Sequence, residues 1–467
     1  MTSHLYDVVI IGGGVSGLSA AKYLGEQGVD LVLLEATERL GGRTRTNKNE
    51  NVLWVDLGGA YVGRSQNHLL RIIKEFNLEL YPVNEVEKLV YYDGFSGKRT
   101  LLNSDQLPAN GLLDWLDLNH MFRLIDKIGE DIPADEPWKS PRAEKLDQMT
   151  CKEFLEANTI MSGARHFMNI FFGTLVTNPA YLSSALWFLW YIKQCGGTKM
   201  IFATTGGGQE FKVNGGTMQI SERMAECVGM HRVLLGHAVY YVEQNDSEVL
   251  VKTLNGKEFR GRYTLDDSKW PDGSKPAIIG FLPSDKSRLM TQLTKNERQK
   301  IICESFAKAF NCPEALEPVH YEEHNWSAEP YVGGCYTSTL PPGFLTYYGP
   351  YLRQPIGRMF FGGTECATEW SGYINGAIQS GERSAREVLV QLGKLSADRI
   401  CQDEPNSVDY PPVPFSSTFC ERYAPSARGL FYGLAFTSLA TAAAAGLTFY
   451  YIREKSYTSA YYYLIKV

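Results

Sequence analysis

The sequence predicts an α/β protein with one membrane-spanning helix, on three observations. An apolar strand runs into a glycine-rich turn near the start, a long aromatic helical stretch separates two sheet-forming regions, and one uncharged run lies near the end. At 467 residues the chain exceeds one ordinary domain, so two or three packed units and an appendage are expected. Hydrophobic residues make up 44 % and charged residues 21 %, with a net charge of −6, which argues against disorder and against a nucleic-acid partner. The cysteines, nine in number and none spaced C-x-x-C, favour a reducing compartment over a disulfide framework. No basic segment followed by an apolar core precedes the first strand, so no signal peptide is expected.

Tyr6-Asp7-Val8-Val9-Ile10-Ile11 enters Gly12-Gly13-Gly14-Val15-Ser16-Gly17, and a helical pattern follows through Leu18, Ala21 and Leu24 to a stop at Gly28. A second apolar strand, Leu31 to Leu34, ends at Glu35. This is a βαβ unit whose continuous apolar strands suit a parallel sheet. A G-x-G-x-x-G stretch alone is weak, but here it follows a strand, opens a helix and is answered by Glu35, the arrangement of a dinucleotide site. Gly12 permits the turn, Gly14 lets backbone approach a pyrophosphate, Gly17 lets helix and strand pack, and Glu35 can accept from ribose hydroxyls.

From about Tyr81 to Gln209 the pattern is mostly helical, as in Ala185 to Tyr191, and reads as an inserted domain. Val233 to Val242 and Val249 to Leu254 predict strands, and Asn255-Gly256 before Lys257 to Arg260 predicts a hairpin. After a polar, turn-rich stretch, Ala277 to Leu282 predicts the next strand. A short strand, Met359-Phe360-Phe361, is expected to enter Gly362-Gly363-Thr364-Glu365 and a helix running to Leu392. Pro405, Pro411, Pro412 and Pro414 mark a linker. Gly429 to Ile452 carries no charge and is bracketed by Arg428, Arg453 and Lys455. At about 1.5 Å per residue it can cross a hydrocarbon core of roughly 30 Å, with Tyr450 and Tyr451 at an interface.

NAD and FAD share the βαβ unit. The second glycine pair beside an arginine, in Arg39-Leu40-Gly41-Gly42-Arg43-Thr44 and Asp56-Leu57-Gly58-Gly59, suits the longer dinucleotide and favours FAD. Arg43 can meet phosphate oxygens, and Gly362-Gly363 opens a later helix whose dipole can face the ring end.

With these motifs, the chain from Tyr6 to the membrane helix resembles the flavin-dependent monoamine oxidases. The resemblance implies a Rossmann-like FAD-binding domain of the glutathione-reductase and amine-oxidase type, made of 5–80, 211–262 and 329–395. An inserted α+β substrate domain takes 81–210 and 263–328, followed by a linker at 396–428, a transmembrane helix at 429–452 and a tail at 453–467. The most specific motif is Gly333-Gly334-Cys335-Tyr336-Thr337, whose cysteine in that family carries the flavin covalently; a thiolate is the nucleophile such a bond needs. Trp370-Ser371-Gly372-Tyr373 supplies a second tyrosine, so the resemblance makes Tyr336 and Tyr373 a catalytic aromatic cage that receives an amine between ring faces. It also implies cofactor contacts from Gly12, Gly14, Gly17, Glu35, Arg43, Val239, Trp326, Gly363 and Glu365. The implied substrate cavity is lined by Tyr61, Leu175, Tyr191, Ile201, Phe202 and Gln209, with His320 and Cys303 supporting activity. An apolar, narrow pocket suits a small aryl or alkyl amine, and a polyamine is disfavoured because no acidic cluster would grip it. His320, Glu323 and His324 match a zinc pattern, H-x-x-E-H, but follow Pro318, open no convincing helix and lack a third ligand, so no metal is expected.

The expected activity is oxidative deamination of primary amines to aldehyde, ammonia and H2O2, with O2 as oxidant. The partners are the amine, O2 and a lipid bilayer; a homodimer is compatible with the resemblance. The implied location is the mitochondrial outer membrane, tail-anchored with the body facing the cytosol. One departure stands out. The oxidases this chain resembles continue after the hairpin with an apolar strand and several strands of the substrate domain, whereas here Arg262 passes directly to Tyr263. The absent segment includes a lysine that holds a water beside the flavin. The alternative expectation is therefore a membrane-anchored covalent flavoprotein with impaired or no turnover.

Overall fold

The structure, a computed structural model, describes residues 4–464 apart from 52, 84–88, 93–96, 104–105, 263–280 and 283. Strand β1 (Val8–Ile11), helix α1 (Val15–Glu26) and strand β2 (Leu31–Leu34) form the expected βαβ unit. β1 and β2 run parallel in the register Val8↔Leu31 to Ile11↔Leu34. Val8, Val9, Ile10 and Leu33 are wholly buried, which explains why these strands show no polar alternation.

Next come β3 (Tyr61–Val62), α2 (Asn67–Glu75) and β4 (Leu80–Pro82), then the helices α3 (Leu112–Gly129), α4 (Ser162–Val176), α5 (Ala185–Gln194) and α6 (Thr198–Phe202). Strand β5 (Phe211–Val213) lies between β3 and β4, antiparallel to both. After α7 (Met218–Val228), the strands β6 (Val233–Leu234), β7 (Val239–Gln244), β8 (Val249–Thr253) and β9 (Glu258–Gly261) return the chain to sheet. β6 joins β2 to give the order β6-β2-β1, while β9, β8 and β7 form a meander beside Leu5–Tyr6. The hairpin turns at Gly256, whose φ of 80° lies where glycine is favoured. The later helices are α8 (Lys295–Phe310), α9 (Ile374–Gln391), α10 (Phe419–Tyr423) and α11 (Ala427–Leu464).

Two apolar cores result. One gathers β1, β2, α1, α2, α7 and α9 around Leu18, Leu24, Leu69 and Ile378; the other gathers α3, α4 and α5 around Phe172, Phe188 and Tyr191. Trp370, from the late glycine-rich segment, packs into the second core, so the chain returns to the junction of the two just before α9.

Three expectations need correction or restriction. Met359 to Phe361 forms no strand: Met359 makes only an isolated bridge to Ile356, and among the described residues β1 pairs with β2 alone. A three-residue segment without a laddered neighbour has no strand to join, and Phe360 is held instead by burial of its ring. Val233 to Val242 is two strands, interrupted where Gly236 takes a φ of 68°. The strand expected at Ala277 to Leu282 lies outside the described residues except for Phe281 and Leu282, which belong to no strand.

Near the end, Ala427–Arg453 is the one helical stretch among the described residues long and apolar enough to cross a membrane, and apart from Ala427 at its start none of it is buried. At 1.5 Å per residue its length of about 40 Å exceeds a hydrocarbon core.

Candidate active site

The glycine turn after β1 leaves the start of α1 open to an anion. Gly12 has a φ of 88°, Gly14 is the N-cap, and the first turn of α1 holds neither a side-chain cap nor an acidic residue. Backbone donors and the positive dipole end therefore face outward from a buried strand end. Glu35, 3 % exposed, closes the opposite side. Its Oε1 accepts from the Thr37 backbone N–H at 2.7 Å, and its Oε2 lies 3.4 Å from Gly13 N. The late glycine pair reaches the same turn: Gly363 N donates to Ser16 Oγ at 2.8 Å. A Cβ on Gly58 would stand 2.1 Å from the Arg43 carbonyl oxygen, so Gly58 of the second glycine pair is needed for backbone to meet backbone.

Arg43 joins this cradle to the cage motif. Its Nη2 donates to Glu365 Oε2 at 2.8 Å, its Nη1 contacts Glu365 Oε1, and the same Nη1 donates to the Tyr336 carbonyl at 2.8 Å. Burial pushes the Glu365 carboxyl up, but Arg43 overcomes this and holds it below its ordinary value.

The two motif segments meet beside it. A Cβ on Gly372, where φ is 85°, would lie 3.0 Å from Thr337 Cβ and 3.3 Å from the Tyr191 hydroxyl. Only glycine lets the residue before Tyr373 approach the residue after Tyr336 so closely. Tyr373 opens α9, its carbonyl accepts from Thr364 Oγ1 at 2.9 Å, and its ring stacks edge-on against Trp370 at 4.9 Å. Its hydroxyl bonds to Tyr191 and receives Gln209 Nε2 at 3.4 Å. Tyr336 lies within electrostatic reach of both Tyr373 and Tyr61, and Phe281 packs edge-on against it at 5.5 Å. Burial raises the phenols of Tyr336, Tyr373 and Tyr191, so all stay neutral. Burial likewise pushes the Cys335 thiol up to about 11, against a downward pull from Arg43.

The remaining expected residues are spread around this centre. Ile201 is 2 % exposed, and Phe202 packs against Phe122, Phe167 and Phe171 at 5.7, 6.2 and 5.9 Å. Leu175 is partly buried against the same core. Tyr61 lies under the Lys212 ammonium, 5.2 Å from it. Trp326 Nε1 donates to the Leu57 carbonyl at 2.8 Å, beside the second glycine pair. Val239 opens β7 opposite Thr253 and packs on the small core of Val9, Val32 and Leu34, below the glycine turn. Cys303 is buried in α8, and His320 lies 3.4 Å from Glu322. Glu323, in the zinc-like pattern, is engaged by Arg298 and by the Tyr321 hydroxyl at 2.8 Å.

Among the described residues a different trio, His68, Glu382 and Glu404, brings metal-capable atoms together, beside a cleft of about 450 Å³. Arg71 already fills the cation's place, 2.6 Å from Glu382 and 2.8 Å from Glu404. This is an ion-pair knot that sequence reasoning missed, because its members come from α2, α9 and the linker.

Comparison with known proteins places these features in context. The family model described as flavin containing amine oxidoreductase matches residues 15–266 and 262–389. Amine oxidase [flavin-containing] B of Rattus norvegicus is 43 % identical, over 95 % of this chain and 98 % of its own length. Amine oxidase [flavin-containing] of Danio rerio is also 43 % identical, over 96 % and 98 %. Among solved structures, cyclohexylamine oxidase from Brevibacterium oxydans superimposes with a TM-score of 0.77 at 26 % identity, covering 84 % of this chain and all of its own. A redesigned putrescine oxidase gives 0.77 at 25 % identity, covering 83 % and 99 %. The two family-model matches meet at 262–266, just past the end of β9. The rat alignment runs over 511 positions, yet 95 % of this chain's 467 residues is about 444, so about 67 positions have no residue here.

Proposed function

This chain belongs to the flavin containing amine oxidoreductases and is an FAD-dependent amine oxidase, and from that premise we propose that it oxidises small primary aryl or alkyl amines with its FAD held covalently on Cys335. The residues present fit the cofactor. The open start of α1, the positive φ of Gly12, the Glu35 carboxylate and the Arg43 guanidinium match a pyrophosphate, a ribose and a negative charge in turn. When bound, the flavin supplies the two-electron chemistry, and O2 takes the electrons onward to H2O2. The protein's task is to present the amine.

The observation that carries this reading is the meeting of Gly372 with Thr337, which joins the cage tyrosines beside Cys335. Tyr336 and Tyr373 offer ring faces to the amine nitrogen, which favours it by quadrupole and packing without a counter-ion to hold it protonated. The nearby carboxylate of Glu365 is neutralised by Arg43. Tyr191 and Gln209 fix the Tyr373 hydroxyl, and the aromatic cluster around Phe202 offers an apolar wall suited to an aryl or alkyl side chain. The imine formed by loss of a hydride equivalent and a proton then takes up water to give aldehyde and ammonia.

The unburied helix α11 supports a membrane anchor, and the family likeness supports the mitochondrial outer membrane with the body in the cytosol. Deleting the residues after Ser426 should release soluble protein from carbonate-washed membranes. For the activity, the flavin spectrum of purified protein should bleach when an arylalkylamine is added without O2, and peroxide should form when air is admitted; an unchanged spectrum with every amine overturns the assignment. One observation favours a second reading, a flavoprotein of low turnover: the stretch of relatives that this chain lacks adjoins β9.

A further inference from the structure

The linker to the membrane helix is fastened to the short helix that carries two of the cavity residues. Lys199, Ile201 and Phe202 share α6. Lys199 Nζ donates to Glu421 Oε1 at 3.1 Å, to Ser417 Oγ at 3.2 Å and to the Ser416 carbonyl at 3.3 Å. One residue earlier, at the start of the helix, Thr198 is tied to α3, its N–H and hydroxyl donating to Asp126 at 2.8 and 2.7 Å.

The receiving stretch of linker is itself firmly held. Thr418 and Glu421 form a capping box at the start of α10. Asn119 donates to the Glu421 carbonyl at 3.1 Å, and Arg123 donates to the carbonyls of Arg422 and Ala424 at 2.6 and 2.5 Å. The Phe415 ring lies against Gly206, just past α6.

A helix of five residues cannot hold itself: the cost of nucleation exceeds what its one or two internal bonds return. Its position is set by what grips it: Asp126 and the linker through Thr198 and Lys199, the Gly208 N–H on the Met200 carbonyl, and the packing of Ile201 and Phe202 into the helical core. We propose that Lys199 is a positioning residue for amine selection: by tying α6 to linker residues 416–421 it fixes where Ile201 and Phe202 stand, and so the size of amine that fits. This rests on Ile201 and Phe202 lining the substrate cavity. The hydrogen-bond partners of the ammonium lie in the linker, and it acts through the helix it belongs to.

The test uses the full chain in detergent, in three forms: wild type, Lys199→Met, and the conservative Lys199→Arg. Backbone hydrogen exchange across residues 199–203 should rise about tenfold in Lys199→Met and stay near wild type in Lys199→Arg, while the amides of α5 stay unchanged. The ratio of KM for an indole-ethylamine to KM for benzylamine should shift by about threefold or more in Lys199→Met, with benzylamine kcat within about twofold, and Lys199→Arg should keep the wild-type ratio. Unchanged exchange at α6 overturns the tether whatever the activity. Faster exchange with an unchanged KM ratio overturns the role in selection. Failure of the wild type to oxidise any amine would sink the functional reading, and the exchange data would still judge the tether.

Discussion

Gly381 and Ser16 meet backbone to backbone: a Cβ on Gly381 would stand 2.2 Å from the Ser16 carbonyl oxygen. Neither partner is a flexible side chain, so α9 or α1 must shift to admit even a methyl. Overpacking of this kind costs about 1 to 3 kcal/mol. Because Ser16 also receives the Gly363 N–H, the shift displaces both glycine turns. Gly381→Ala should lower the melting temperature, read by the rise in flavin fluorescence as the protein around the cofactor unfolds. Gly25→Ala is the control. It lies inside α1 with no atom within 4 Å of the added carbon, and should be neutral or stabilising by about 0.5 to 1 kcal/mol. Equal melts for the two variants would contradict the account.

Cys335→Ala should leave flavin that acid precipitation strips into the supernatant, whereas the wild-type pellet stays yellow. The environment of Cys335 adds a rate expectation. A thiol pushed up to about 11 is almost wholly protonated at neutral pH, so covalent loading of apoprotein should quicken by close to tenfold per pH unit on the alkaline side of neutrality. A pH-independent loading rate would show that the thiolate is generated in some other way.

His68 carries a stability signature. Its Nδ1 lies 3.2 Å from Glu404 and 3.8 Å from Glu382 in a buried setting, with Arg71 and Arg386 facing the same carboxylates. Burial pushes the imidazolium down, but the two glutamates overcome it and hold its pKa above 6.5. A group raised on folding stabilises fully below its unfolded pKa and loses that contribution as pH rises through the folded one. The melting temperature should therefore fall as pH climbs from about 6.5 through the folded value, and His68→Asn should flatten that limb. A decline of equal slope in the variant would assign the dependence to another group.

Turnover should be slow compared with relatives that possess the missing stretch. Misplacement of reacting groups by about 1 Å can cost on the order of a hundredfold in rate, and an incomplete cavity wall leaves the amine loosely placed. Inserting the corresponding segment of a relative between Arg262 and Tyr263 should raise kcat/KM for benzylamine by about that factor. Equal rates with and without it would show that the stretch is dispensable.

What could be read in advance divides by distance along the chain. β1, the turn at Gly12 and α1 were legible because glycine spacing and apolar runs are local signals. The expected hairpin at Asn255-Gly256 formed for the same reason. The contact between Gly372 and Thr337 could be anticipated only through motif likeness, since nothing local states that the two segments meet. That Arg43 also pairs with Glu365, 322 positions away, gave no local signal. The knot of His68, Glu382 and Glu404 and the tether of Lys199 to Glu421 left no trace in the sequence, because each joins polar residues from elements far apart. Met359 to Phe361 failed as a strand for the opposite reason: its local pattern was right, but a strand exists only with a neighbour to ladder against.

Arg43 holds the Tyr336 carbonyl with the same guanidinium that grips Glu365, two residues past Gly363, whose N–H donates to Ser16 in the glycine turn of α1. One cation thus connects the backbone of the first tyrosine motif with the turn proposed to hold a dinucleotide. Were a bound dinucleotide to shift Arg43, the coupling would be reciprocal by thermodynamic necessity: the factor by which the dinucleotide changes affinity for an amine equals the factor by which the amine changes affinity for the dinucleotide. FAD and amine would then act as each other's effectors.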